Sequence, residues 1–222
     1  MSQLDLFAAP KPITRREAVD ILTPYLGKNL RPIAENYGFV SPYIVPKNKG
    51  WAGHTVEALL GKKPDNDQAP DFGDWELKVI PTQYNEKQRS LTLKSDLAIT
   101  MFQAKNVYES SFEESHLFAK TQHMLIALRI YHEISESYSP LYALAIYDLQ
   151  STLKDKIKEE YDNIRWLLRE QGIMGLKSFQ GQYLAIHTKG KSTHHWSFYA
   201  QRRWVSEMLQ QELIIADAIQ AP

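Results

Sequence analysis

The chain has 222 residues, 43% of them hydrophobic, with 26 basic and 26 acidic side chains and no cysteine. That length suits one domain with a real core, and the missing cysteine excludes a disulfide scaffold, a thiolate zinc site and a cysteine nucleophile. A formal net charge of zero excludes a globally basic nucleic-acid coat but leaves local basic fields open.

Residues 1–13 read as a tail, ended by Pro10-Lys11-Pro12, with a single domain over 14–222. The start, MSQLDLFAAPKP, lacks a basic stretch followed by an apolar run, and no apolar run reaches membrane-spanning length. A soluble, cytoplasmic protein without membrane contact is expected. Thr14-x-x-Glu17 is a capping box for a first helix, with Ala18, Ile21, Leu22 and Tyr25 on one face and Gly27 as its stop. A second helix is expected from Leu30 to Tyr37 and a third from Trp51 to Leu60. Trp75–Ile80 reads as a strand stopped by Pro81, and Asp96–Phe102 as another. Ser111-x-x-Glu114 predicts the cap of a short helix ending near Lys120. Met124–Tyr131 and Leu141–Tyr147 read as central strands. Leu149 to Gln171 is the longest predicted helix, with Leu153, Ile157, Ile164 and Leu168 in one stripe. Tyr183–His187 reads as a short strand, and a last helix is expected from Trp204 to Ile219. Trp166 and Trp204 are expected in the core. The fold class is mixed α+β, a central mixed sheet flanked by helices.

The densest chemistry lies at Pro70-Asp71 and Glu76-Leu77-Lys78. A Pro-Asp, a short gap and acid-x-Lys is how one large class of metal-dependent nucleases, the PD-(D/E)xK group, is written. Cleaving a phosphodiester calls for Mg²⁺ at the phosphate oxygens, and Mg²⁺ calls for carboxylates with room for water. Asp71 and Glu76 can hold one or two such ions, and Lys78 can orient the attacking water. Alternation along a strand puts Glu76 and Lys78 on one face, with Leu77 turned into the core. Asp74 falls on the Glu76 face, and Asp71 approaches from the preceding turn. Acid-x-Lys alone is common on solvated strands, so the neighbouring residues carry the distinction. From His187 to Trp204 the chain has Lys189, Lys191, Arg202 and Arg203 and no acid, a local basic field. His194-His195 lacks further ligands at zinc-like spacing and suits a DNA-facing loop better than a metal site.

The order Lys49-Gly50-Trp51-x-Gly53-x-x-x-Glu57, Leu59-Leu60-Gly61, Asp71-Phe72, Glu76-Leu77-Lys78-x-x-Pro81 resembles the MutH family, which joins mismatch-repair nicking endonucleases to GATC-cutting type II restriction enzymes. Phe112-Glu113-x-Ser115-His116-x-x-x-Lys120 is similar to that family's W-E-x-S-H-x-x-x-K. Gly181-Gln182-Tyr183-Leu184-x-Ile186-x-x-Lys189 and Phe198-Tyr199-x-x-Arg202-Arg203 resemble its C-terminal motifs. The resemblance spans about residues 47–204. It implies a restriction-endonuclease-like core at about 47–147, a DNA-reading part over 149–222, and Mg²⁺-dependent cleavage of double-stranded DNA. It also implies Asp71 and Glu76 as metal-binding acids, Glu57 as an additional acid, and Lys78 and Lys120 as catalytic lysines. Lys49, Lys189, Tyr199, Arg202 and Arg203 become DNA contacts, and activation by MutL is implied.

Three departures stand out, one of them Ala200-Gln201-Arg202-Arg203, which blurs the family's basic pair. The gap from Asp71 to Glu76 is two residues shorter than the family's usual spacing, so either the turn is tighter or Asp74 shares the ligand role. His187 stands where the family often has Arg. Gln3-Leu4-Asp5-Leu6-Phe7 is similar to peptides that bind the bacterial sliding clamp, with Leu-Phe as the apolar anchor; packing of this segment on its own domain is the other reading. Three functions therefore remain: methyl-directed mismatch-repair nicking, double-strand restriction, and a non-catalytic DNA- or clamp-binding module.

Overall fold

The computed structural model describes residues 12–41, 50–63, 68–85, 87, 90–132, 136–188 and 196–217. Three helices come first: α1 (Arg15–Leu22), α2 (Leu30–Asn36) and α3 (Trp51–Leu59). The capping box at Thr14 and Glu17 forms in full, each side chain meeting the other's backbone N–H. β1 (Glu76–Asn85), β2 (Ser90–Leu93) and β3 (Leu97–Phe102) follow, then α4 (Ala104–Glu109), α5 (His116–Thr121), β4 (His123–Ile130) and β5 (Leu141–Asp148). Next come α6 (Ser151–Gly175), β6 (Leu184–Thr188), β7 (Trp196–Ala200), α7 (Arg202–Met208) and β8 (Glu212–Ile215).

A five-stranded sheet in the order β2-β1-β4-β5-β8 forms the centre, and a three-stranded antiparallel sheet, β3-β7-β6, accompanies it. The β1–β4 pairing is parallel and the other pairings of the larger sheet are antiparallel, which makes that sheet mixed. Strand alternation divides the core in two. Leu77, Leu125, Ala127 and Ile146 pack with Leu22, Leu30, Trp51 and Val56 of the N-terminal helices. Ile80, Met124, Ile126, Ala145 and Tyr147 cluster with the apolar residues of α6, α7 and the small sheet. The expected class, a mixed sheet flanked by helices, is the architecture present. The stripe of α6 is buried at Leu153, Ile157, Tyr161, Ile164 and Leu168. Its continuous helix stops after Gln171, where Gly172 leaves helical backbone (φ 65°, ψ −167°) before one more turn. Among the described residues no helix is long and apolar enough to cross a membrane.

Several expectations are corrected. β1 does not stop at Pro81 but runs on to Asn85. Pro81 pairs with Arg129 of β4 on one side, while β2 joins β1 from Thr82 onward. On that second side Pro81 offers its carbonyl, which accepts the Lys94 N–H (3.1 Å). A proline at such an edge position removes no donor that a neighbouring strand needs. The last predicted helix is two elements: α7 ends at Met208, and Glu212–Ile215 forms a strand on β5. Ser111 donates its N–H and hydroxyl to the Glu114 carboxylate, but α5 starts at His116 with Ser115 as its cap. β2, α4 and β7 had no predicted counterpart. Trp204 is buried and donates to the Tyr147 hydroxyl (3.0 Å), whereas Trp166 is exposed rather than core.

Asp148 at the end of β5 ties three elements together. Its carboxylate lies 2.8 Å from Arg15 of α1 and 2.6 Å from His123 Nδ1 at the start of β4. Burial pushes the carboxyl up, but the hydrogen bonds from His123 and Arg15 outweigh it and hold it below its ordinary value. A lowered carboxyl stabilises the fold above its ordinary range, and that contribution is lost as pH falls through the lowered value. Asp148→Asn is therefore expected to lower Tm at neutral pH. In thermal melts, the gap to the wild type should close as pH falls below about 4, the ordinary aspartate range.

Candidate active site

The centre of the site is built from a short stretch of chain. Phe72 donates its N–H to the Trp75 carbonyl (3.0 Å), closing a tight turn in which Gly73 takes φ 83°. That turn folds Asp71 back against the first residues of β1. The Asp71 carboxylate accepts the Leu77 N–H (3.1 Å), while the Glu76 carboxylate accepts the Asp71 N–H (3.2 Å). Each acid is thus held by the other's stretch of backbone. The short spacing goes with this tight turn. Asp74 is exposed and lines a different cavity, with Arg15, Arg16 and Trp75, away from the carboxylate pair. A side chain at position 73 would have to adopt left-handed backbone. Gly73→Ala is expected to cost about 1–2 kcal/mol in urea unfolding and to weaken cleavage by loosening Asp71.

Glu76 is 1% exposed and is the most enclosed acid of the group. Lys120 of α5 donates to both of its carboxylate oxygens (3.0 and 2.9 Å), and Lys78 donates to Oε1 (2.5 Å). Lys62 lies 3.3 Å from Asp71 Oδ1. Lys120 reaches this point because α5 leads directly into β4, whose Met124 is paired with Glu76. Lys62, Lys78 and Lys120 thus bring three ammonium groups to these carboxylates beside the edge of β1 that β2 does not cover. Ammonium groups so placed suit a phosphodiester anion.

The donor set fits a hard divalent ion. Mg²⁺ is commonly bound through one or two carboxylates, with water and phosphate oxygens completing the shell. Asp71 and Glu76 supply those two carboxylates, and among the described residues no group of three or more His, Cys, Asp or Glu forms a fuller protein cage.

A cleft runs along the β1 edge on either side of Lys78. One part, of about 260 Å³, is lined by Glu57, His54, Gly53, Lys78 and Arg129. The other, of about 610 Å³, is lined by Lys78, Lys94, Asp96, Arg129, Glu136 and Tyr199. Lys78, Val79, Pro81 and Arg129 belong to both parts. Glu57 therefore shares the cleft with Lys78, but its carboxylate is engaged by His54 Nδ1 (3.2 Å) rather than by the Asp71–Glu76 group. Tyr199 of β7 stands in the larger part, with its ring 5.2 Å from that of His187.

Arg202 and Arg203 do not join Tyr199 there. Arg202 is exposed, and Arg203 packs 4.9 Å from the Tyr183 ring and donates to Gln182 (2.6 Å) at a separate cavity beside α6. Lys49, Lys189 and the segment Gln3, Leu4, Asp5, Leu6 and Phe7 lie outside the described residues. Sequence reasoning missed Lys62, Lys94 and Arg129. Only Arg129 carried a signal, as a charged residue inside the apolar Met124–Tyr131 run.

Carboxylates and lysines gathered at a strand edge beside a cleft are groups that can serve metal-assisted phosphodiester chemistry. Residues 60–159 match the family model described as the DNA mismatch repair enzyme MutH. The DNA mismatch repair protein MutH of Shewanella woodyi is 23% identical over 185 residues, 82% of this chain and 78% of that protein. The MutH protein of Vibrio cholerae is 28% identical over 118 residues, and the chain spans about half of its length (51%). A restriction endonuclease, MvaI, solved with its cognate DNA, matches over 84% of this chain and 96% of that chain at 14% identity, with a TM-score of 0.38. The chain is similar to the MutH family, as its motifs led one to expect. The matched segment contains Asp71, Glu76, Lys78 and Lys120, whereas Glu57 and Tyr199 fall outside it.

Proposed function

We propose that this protein is a Mg²⁺-dependent endonuclease that nicks double-stranded DNA in methyl-directed mismatch repair. The observation that carries the reading is the buried Glu76 carboxylate, gripped by Lys78 and Lys120 beside Asp71 at the uncovered edge of β1. The similarity to proteins named for mismatch repair supports it.

In this reading Asp71 and Glu76 hold the ion. When bound, Mg²⁺ supplies positive charge at the phosphoryl oxygens and favours deprotonation of the attacking water. Lys78, already at the cleft wall, releases Glu76 and turns its ammonium to the water or to a phosphate oxygen. Lys120 stays on Glu76 and fixes its orientation, while its charge stabilises the developing dianion at phosphorus. Glu57 acts from the far wall as an acceptor within the water network. Tyr199 reads the duplex from the larger part of the cleft, with Lys49, Lys189, Arg202 and Arg203 as further DNA contacts. MutL is the proposed activator and the cytoplasm the proposed location. Residues 3–7 are the proposed contact with the sliding clamp; deleting residues 1–11 should abolish clamp binding in a pull-down and leave basal cleavage intact.

The test is cleavage of supercoiled plasmid in unmethylated, hemimethylated and fully methylated forms, with and without Mg²⁺ and MutL. Slow nicking that needs Mg²⁺ and is accelerated by MutL is the expected result. Linearisation by the protein alone would favour double-strand restriction. DNA binding without cleavage under every condition would leave a binding module on a nuclease scaffold.

A further inference from the structure

Arg129 is the charged group common to both parts of the cleft besides Lys78. It sits on β4 opposite Pro81, three residues along from Lys78, so the two backbone positions are about 10 Å apart along the strand direction. It is 5% exposed, with its guanidinium 5.2 Å from the Trp51 ring and Nη1 donating to the Ser139 hydroxyl (2.8 Å). Its carboxylate partner is Glu136, at 2.8 Å. Burial pushes the guanidinium down from its ordinary value, and Glu136 opposes that effect.

Glu136 is an unusual anchor. It is the one non-glycine among the described residues with positive φ (49°), a backbone conformation that carries strain. Its carboxylate also accepts the Trp51 Nε1–H (3.0 Å), and it lines the cleft itself. One carboxylate, held in a strained loop, thus pairs with a guanidinium that lines the cleft.

We propose that Arg129 is a contact for a DNA backbone phosphate, and that Glu136 occupies the phosphate's place until nucleic acid enters. This rests on the endonuclease reading above. A buried guanidinium cannot be left without an anion, so opening the pair alone is strongly unfavourable. Exchanging carboxylate for phosphate keeps the charge paired, and the planar guanidinium suits a phosphate through two parallel N–H···O bonds. The exchange also frees Glu136 to leave its strained backbone and releases Trp51 at the start of α3, the helix that carries Glu57.

The experiment measures duplex DNA binding without divalent metal, from 50 to 200 mM salt, for wild type, Glu136→Gln, Arg129→Met and the double variant. Glu136→Gln should bind about tenfold more tightly, because the competing charge is gone. Arg129→Met should bind about tenfold more weakly on every sequence, with the slope of log K against log salt shallower by about 0.9, the value of one phosphate contact. Arg129→Met strands the Glu136 charge and Glu136→Gln strands the buried Arg129 charge, so either single variant can unfold the protein. The double variant strands no charge, and it should show the same shallower slope. Wild-type binding with an unchanged slope in the folded double variant would overturn this inference alone. A wild type with no affinity for duplex DNA would overturn the endonuclease reading together with it.

Discussion

Glu76→Gln is expected to reduce Mg²⁺-dependent plasmid nicking by about a thousandfold or more, while DNA binding stays within about threefold of wild type. A thousandfold loss corresponds to about 4 kcal/mol of transition-state stabilisation, a size suited to loss of a metal ligand rather than of one neutral hydrogen bond. Glutamine keeps the volume of the side chain and one acceptor oxygen, so the buried space is filled. What disappears is the charge that balances Lys78 and Lys120 and attracts the cation. Single-turnover nicking on supercoiled plasmid, paired with a thermal melt to show that the variant is folded, reads the two effects separately. Retention of about a tenth or more of the wild-type rate, a loss of less than about 1.4 kcal/mol, would place the metal ion elsewhere.

The parts of this site that could be read from the sequence are those made by neighbours in the chain. Alternation alone placed Glu76 and Lys78 on one face of a strand and Leu77 in the core, and that is how they stand. Asp71 was legible because a single turn separates it from β1. Lys120 was a different matter. It meets Glu76 across 44 positions, and only the family resemblance pointed to it. Lys62 comes to the site through packing that no local pattern encodes, and the lone charge of Arg129 in an apolar run marked it without giving its place in the cleft.

The fold shows the same division. Helices with caps and stripes, such as α1 and α6, were legible because their signals are local. β8 was not. Trp204, Val205 and Met208 begin a helical spacing that the apolar Leu213-Ile214-Ile215 run continues by pattern alone, whereas the run's hydrogen-bond partner is β5, far away in the chain. Pro81 misled for a related reason. Whether a proline ends a strand depends on whether a neighbour needs its N–H, and the edge that β2 leaves uncovered before Thr82 exists only in the assembled sheet. That uncovered edge is also what opens the cleft at Lys78.

Lys120→Met should be costly in a second way. Removing one member of a buried ion pair leaves the other charge without its partner, which typically destabilises by about 3 kcal/mol. For a chain of this size that is roughly a 10 °C fall in Tm. Lys78 remains on Glu76, but its side chain is more exposed (18% against 9%) and touches one carboxylate oxygen instead of two. The double variant Lys120→Met/Glu76→Leu should recover part of the lost stability, since an apolar pair replaces the ionic one while Lys78 and the Asp71 N–H lose their acceptor, and yet remain unable to cut DNA. Equal stability in the single and double variants would show that the pair is not coupled in the fold. Mg²⁺ separates charge balance from packing: an ion that binds the native state raises Tm according to its affinity. In Lys120→Met the Asp71–Glu76 pair carries less compensating charge and should bind Mg²⁺ more tightly. The Tm increase on adding Mg²⁺ should therefore be larger for Lys120→Met than for wild type, and absent in the double variant.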